Sequence, residues 1–180
     1  MTKIINLYGG PCVGKTSSAS FIHYLLKSRD INAELVREFV KGRAYDGMEI
    51  GPYDQFYFFG KQSHYESKLY NKVDWIVTDS PVALCTVYAK KYNSPEVANG
   101  VVEASKAFYK QSSSDGHEHI NVLLERTKKY QQTGRFESEE EARVIDKEVE
   151  IALVADGLIY RKSTIDETSL RNLISQLLGE

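Results

Sequence analysis

Gly9-Gly10-Pro11-Cys12-Val13-Gly14-Lys15-Thr16 sets glycines, a lysine and a hydroxyl in the spacing G-x-x-x-x-G-K-[ST]. This spacing suits a phosphate. Glycines let the backbone turn tightly, so that successive N–H groups face inward at an anion. A helix starting at the same place adds its positive N-terminal end. Lys15 would reach the β- and γ-oxygens of a nucleoside triphosphate, and the hydroxyl of Thr16 would ligate Mg²⁺. Gly10, Pro11, Cys12, Val13, Gly14, Lys15, Thr16 and Ser17 are therefore the candidate ATP-binding residues, with ATP and Mg²⁺ the implied cofactors. Cys12 reads as a small loop filler among the donors.

Two acids stand where a second half of the chemistry belongs. Asp79 ends the apolar run Trp75-Ile76-Val77 and could hold Mg²⁺ beside Thr16 or accept a proton. Glu38 follows a second β-like run and could orient an acceptor hydroxyl. Arg43, five residues on, could grip an anionic part of the acceptor. Which of Asp79 and Glu38 takes the proton stays open.

The segment Arg126-Thr127-Lys128-Lys129-Tyr130-Gln131-Gln132-Thr133-Gly134-Arg135 is basic and contains a glycine. It reads as a lid, roughly residues 126–137, whose Arg126 and Arg135 close over transferring phosphates. Residues from about 40 to 72 read as an acceptor-side helical region. Within it Phe56 and Phe59, with Gln62 close to their face, could form a slot that stacks a planar base and reads its edge. His117-Glu118-His119 reads as an exposed loop, because no third ligand of metal-site spacing accompanies it.

The elements that position these residues alternate. Strands are expected at Lys3–Tyr8, Ile31–Phe39, Asp74–Asp79, Ile120–Leu124 and Leu158–Arg161. Helices are expected at Lys15–Lys27, Asp54–Asn71 with Asp54 as N-cap, Pro81–Tyr92, Pro95 to about Gln111, Glu137–Ala155 and Thr168–Leu178. Five strand-helix alternations predict an α/β fold: a five-stranded parallel sheet with helices on both faces. Ligands in such a sheet sit outside the carboxyl ends of its strands, which is where the candidate residues fall.

Composition sets the outer bounds. The chain has 180 residues, suited to a single domain over 1–180, and 42% hydrophobic and 27% charged residues, an ordinary globular balance. A net charge of −2 supplies no global basic field for nucleic acid or an anionic membrane. The start runs straight into a strand and leaves no room for a signal peptide, and no apolar run is long enough to span a bilayer. Cys12 and Cys85 are too few for a disulfide framework. A cytoplasmic protein is expected, in host cytoplasm if phage-encoded.

The loop GGPCVGKT, the segment VREFVKGRA, the strand WIVTDSP and the lid RTKKYQQTGRFESEEEA together resemble the P-loop kinases related to ribosylnicotinamide kinase, and phage nucleotide kinases often labelled AAA-type ATPases. The resemblance covers roughly residues 3–160. It implies ATP as donor, a substrate-side acid at Glu38 or Asp79, and lid arginines at Arg126 and Arg135. The expectation is an ATP- and Mg²⁺-dependent kinase acting on a nucleoside- or nucleotide-like small molecule. Two alternatives stay open: a kinase acting on a hydroxylated base or end of DNA, and a non-kinase ATPase coupled to a partner.

Overall fold

The computed structural model describes residues 1–40, 42, 46–47, 49–133 and 137–180. Strands form at β1 (Lys3–Tyr8), β2 (Ala33–Val36), β3 (Trp75–Thr78), β4 (Glu118–Leu124) and, as a polar edge strand two residues later than expected, β5 (Tyr160–Ser163). These pair in parallel as one five-stranded sheet in the order β2-β3-β1-β4-β5. Between them run helices α1 (Lys15–Lys27), α2 (Asp54–Ser67), α3 (Leu84–Tyr92), α4 (Pro95–Ser114), α5 (Glu139–Ala155) and α6 (Glu167–Leu178).

Helices cover both faces of the sheet. On one, α1 and α6 pack Ala19, Ile22, Leu25, Leu26, Leu170, Leu173 and Ile174 against Ile5, Leu7, Trp75, Val77, Val122 and Leu124. On the other, Tyr8 and Leu123 meet α3 and α5, while Ile4, Val36 and Ile76 pack with Val73, Tyr65, Leu69 and Tyr70. Alternation along each strand sends successive side chains to opposite faces, so both layers are drawn from the same four-to-seven-residue runs.

The helix ends follow local chemistry. Ser138 caps α5 in a capping box with Glu141, Ser94 caps α4 with Pro95 behind it, and Asp166 caps α6. Asp54 does not cap α2. That position is Tyr53, and Asp54 Oδ2 instead accepts from the N–H of Gly51 at 2.8 Å. The motif His117-Glu118-His119 is not an exposed loop. β4 begins at Glu118, His117 is buried and its Nδ1 accepts from the N–H of Thr2 at 3.1 Å. Helix α4 also runs on to Ser114, three residues past its expected end near Gln111.

Candidate active site

The segment between β1 and α1 is a backbone cradle. Gly9 and Gly14 have φ of 141° and 114°, and Cys12 adopts φ 59°, so the chain folds on itself through conformations that favour glycine. Unlike α4, α5 and α6, α1 has no side-chain cap and no acid in its first turn, and Gly14 stands at its N-cap. Its first N–H groups are thereby left to an external anion. Lys15 Nζ is held beneath the loop, donating to the carbonyls of Gly9 at 2.7 Å and Gly10 at 2.9 Å.

The loop forms one wall of a cavity of about 300 Å³. Pro11, Cys12, Gly14, Lys15, Thr16 and Ser17 line it on that side. The rest of the lining comes from Glu38, Val40, Ile50, Gln55, Phe58, Ser80, Leu84, Cys85, Tyr88 and Tyr92, and from Lys128, Gln131 and Glu137. The rings of Tyr88 and Tyr92 lie parallel, 6.3 Å apart at 9°. Burial pushes the Cys85 thiol up to about 12, and the nearby Glu38 charge adds to the effect. Cys85 is thus a neutral wall residue, next to an acid that reaches into the space.

Asp79 is buried at the tip of β3, and its Oδ1 accepts from the backbone N–H of Glu38 at 2.8 Å. The two acids are linked in this way. Asp79 fixes the backbone from which the Glu38 side chain enters the cavity.

Helix α2 is turned differently from the expected base slot. Its buried positions are Gln55, Phe58, Gln62 and Glu66. Gln55 and Phe58 reach the cavity. Phe56 is half exposed beside Gly100, and Phe59 packs with Cys85, Ala89, Ala98 and Val101. Gln62 lies behind the cavity wall, where its Oε1 accepts from the N–H of Phe39 at 3.3 Å.

In the basic segment, Arg126 is placed differently from the expected closing arginine. Arg126 does not line the cavity. Its Nε and Nη2 donate to Asp146 at 2.6 and 3.0 Å, and Nη2 donates to the carbonyl of Pro11 at 2.7 Å. Among the described residues, a cation over the loop is Lys128, whose Cε lies 3.5 Å from where a Cβ on Gly14 would stand. Sequence reasoning marked this stretch as basic but did not single out Lys128. Gln131 N–H donates to Cys12 Sγ at 3.3 Å, so the basic segment touches the loop. Glu137, also lining the cavity, accepts from Tyr92 Oη at 3.0 Å, and its carbonyl accepts from Tyr130 and Gln132. Arg43 and Arg135 lie outside the described residues.

The sequence family described as AAA domain matches residues 4–166. The chain belongs to that family. No curated protein sequence matches it significantly. Among solved structures, this AAA-domain chain is similar to NadR protein in complex with NR, with TM-score 0.77 at 17% identity over 99% of this chain. A NadR protein in complex with NAD and AMP-PNP gives TM-score 0.74 at 16% identity. The chain spans about half the length of these NadR chains, 52% and 50%. Deoxyadenosine kinase from M. mycoides, with products dCMP and dCDP, gives TM-score 0.60 at 12% identity, covering 98% of this chain and 100% of that one. At these identities the likeness is one of fold: this family member has the fold of a P-loop kinase of the NadR group. Among the described residues, no helix is long and apolar enough to cross a membrane.

Proposed function

We propose that the protein is an ATP- and Mg²⁺-dependent kinase that transfers the γ-phosphoryl group to a hydroxyl of a nucleoside. The observation that carries this reading is one cavity lined by two chemically different sets of residues. The loop and the cations Lys15 and Lys128 suit a triphosphate. Phe58, Tyr88, Tyr92 and Gln55 suit a planar, hydrogen-bonding base, and Glu38 lines the same space. Away from the loop, the described lining residues carry the acids Glu38 and Glu137 and no cation, which favours a nucleoside over a nucleotide as acceptor.

In this reading the loop amides and Lys15 hold the β- and γ-phosphates, and Lys128 closes over them. Glu38 orients the acceptor hydroxyl and takes its proton, in line with the γ-phosphorus. Asp79 acts from behind, by fixing the backbone at Glu38. Thr16 and Asp79 would hold Mg²⁺, which when bound neutralises charge on the phosphates. A hydroxyl and a carboxylate are hard oxygen donors of the kind that ion prefers. Mg²⁺ keeps water and phosphate oxygens as most of its ligands, and no cluster of three or more His, Cys, Asp or Glu side chains forms a dedicated cage among the described residues.

The test is ATP consumption measured against a panel of nucleosides, nucleoside monophosphates and hydroxymethylated DNA. Turnover stimulated by at least one nucleoside, with a phosphorylated nucleoside as product, is expected. Hydrolysis at the same rate with every acceptor and with none would make the protein an ATPase instead. Phosphate appearing in the DNA alone would assign it to polynucleotide modification.

A further inference from the structure

We propose that Asp146 is a positioning residue for the phosphate loop, acting through Arg126 and Gly10. The proposal rests on the kinase reading above. Asp146 lies on α5, 136 residues from Gly10 in sequence, yet its Oδ1 accepts from the Gly10 N–H at 2.8 Å. The same carboxylate takes Nε and Nη2 of Arg126 at 2.6 and 3.0 Å, and Nη2 donates onward to the Pro11 carbonyl at 2.7 Å. These four bonds close a ring around the Gly10-Pro11 dipeptide, gripping its first N–H and its last carbonyl from the side away from the cavity.

Two further observations show that the contact is built into the fold. A Cβ on Gly10 would stand 2.6 Å from Asp146 Oδ1 and 2.7 Å from the Ala142 carbonyl, so α5 approaches this closely only because residue 10 has no side chain. The ion pair is also sheltered, with the Arg126 and Asp146 side chains 7% and 26% exposed, and Arg126 Nη1 is buried without a partner among the described residues. A charge desolvated to this degree depends on its one carboxylate, and losing that partner strands it.

The consequence falls on nucleotide binding. Pro11 and Cys12 line the cavity immediately after the gripped amide. The loop's conformation is held in advance by α5 and by the first residue of the lid, so ATP need not order it on arrival. This differs from an arginine that contacts phosphate only in the transition state. Such an arginine would affect kcat and leave ATP affinity alone, and Asp146 would be irrelevant to it.

Titration calorimetry with MgATP on the full chain separates these cases. Asp146→Asn keeps an acceptor for Gly10 but loses the charge, and Arg126→Lys keeps the charge but cannot span both partners. Each should weaken MgATP binding by about tenfold or more, and the double variant should be little worse than either single one. Arg143→Ala, which breaks the exposed Arg143–Glu139 pair on the same helix, is the control and should stay within about twofold of the parent. A parent that does not bind MgATP would defeat the kinase reading itself, and the proposal with it. A binding parent with Asp146→Asn and Arg126→Lys within about twofold would overturn the positioning role alone. Loss of cooperative melting in both variants would also overturn it, by making the pair a folding element.

Discussion

Ile5, Leu7, Trp75, Val77, Val122 and Leu124 face α1 and α6 with no polar side chain among them, whereas the opposite face of the same strands carries Asn6, Thr78, His119 and Asn121. On that second face the helices also contribute polar groups, and the bonds run in one direction. Asn6 Nδ2 donates to Asn121 Oδ1 at 3.1 Å and contacts His119 Nδ1 at 3.2 Å. His119 Nε2 lies 2.8 Å from Ser112 Oγ, which donates to Tyr70 Oη at 3.3 Å, and Tyr70 donates to Glu66 Oε1 at 2.6 Å. A consistent assignment follows, with a neutral His119 carrying its proton on Nε2, because Ser112 has one proton and spends it on Tyr70.

The difference teaches what each face supports. The apolar face mounts α1, whose N-terminus completes the phosphate loop, and close-packed aliphatic contacts hold it without reference to pH. The polar face mounts α2, which supplies Gln55 and Phe58 to the cavity and, through Gln62, holds the backbone at Phe39 beside Glu38. In the proposed reading, the helix behind the donor end rests on hydrophobic packing, with the Arg126–Asp146 pair gripping the loop itself, and the acceptor end rests on a buried network that is strong only while every member is satisfied.

The largest expected effect separates chemistry from support. Lys15→Ala should lower kcat by at least about a hundredfold, yet melt within a few degrees of the parent, because the side chain bonds the loop and not the apolar layer beneath it. Residual turnover within tenfold of the parent would remove Lys15 from the mechanism. A smaller effect tests the layer itself. Ile22 is fully buried on α1, and Ile22→Ala should cost about 2–5 kcal/mol in denaturant unfolding, by the same amount at every pH. A strong pH dependence of that loss would erase the distinction between the two faces.

The same contrast explains what was legible in the sequence. The tight turn from β1 into α1 and the five alternating strands were legible, because glycine turns and alternating burial each need particular residue types at short, fixed spacing. Helix α2 was not. An apolar period points Phe56 and Phe59 inward, but the polar layer reverses the usual rule and takes in Gln55, Gln62 and Glu66. The burial of His117 and His119 has no local signal, because their partners, Thr2, Asn6 and Ser112, sit elsewhere in the fold. The role of Asp146 has no local signal at all. It is one acid among several on an amphipathic helix, and only the close approach at Gly10 sets it apart.

The smallest predicted effect goes to the core of the comparison, because it gives the polar layer opposing responses to pH. Burial pushes Glu66 up to about 7 from 4.5, although the Tyr70 hydroxyl pulls it partly back. A raised folded value means that this group's contribution to stability is full below about 4.5 and is lost as pH rises through about 7. Burial, followed by the His117 charge, holds His119 down at about 4 against 6.5. Its contribution is full above about 6.5 and is lost as pH falls through about 4. Between those limits the two slopes oppose each other in the parent and largely cancel. Each shift corresponds to at most on the order of 3 kcal/mol. Glu66→Gln removes the falling slope, so its stability relative to the parent should rise with pH from about 4.5 to 7. His119→Gln removes the rising slope, so its stability relative to the parent should fall as pH rises from about 4 to 6.5. Urea midpoints measured across this range give both differences, and groups common to all three proteins drop out of the comparison. Opposite tilts would show a titrating layer on this face alone. Parallel profiles in the two variants would mean that the network is as insensitive to pH as the aliphatic face across the sheet.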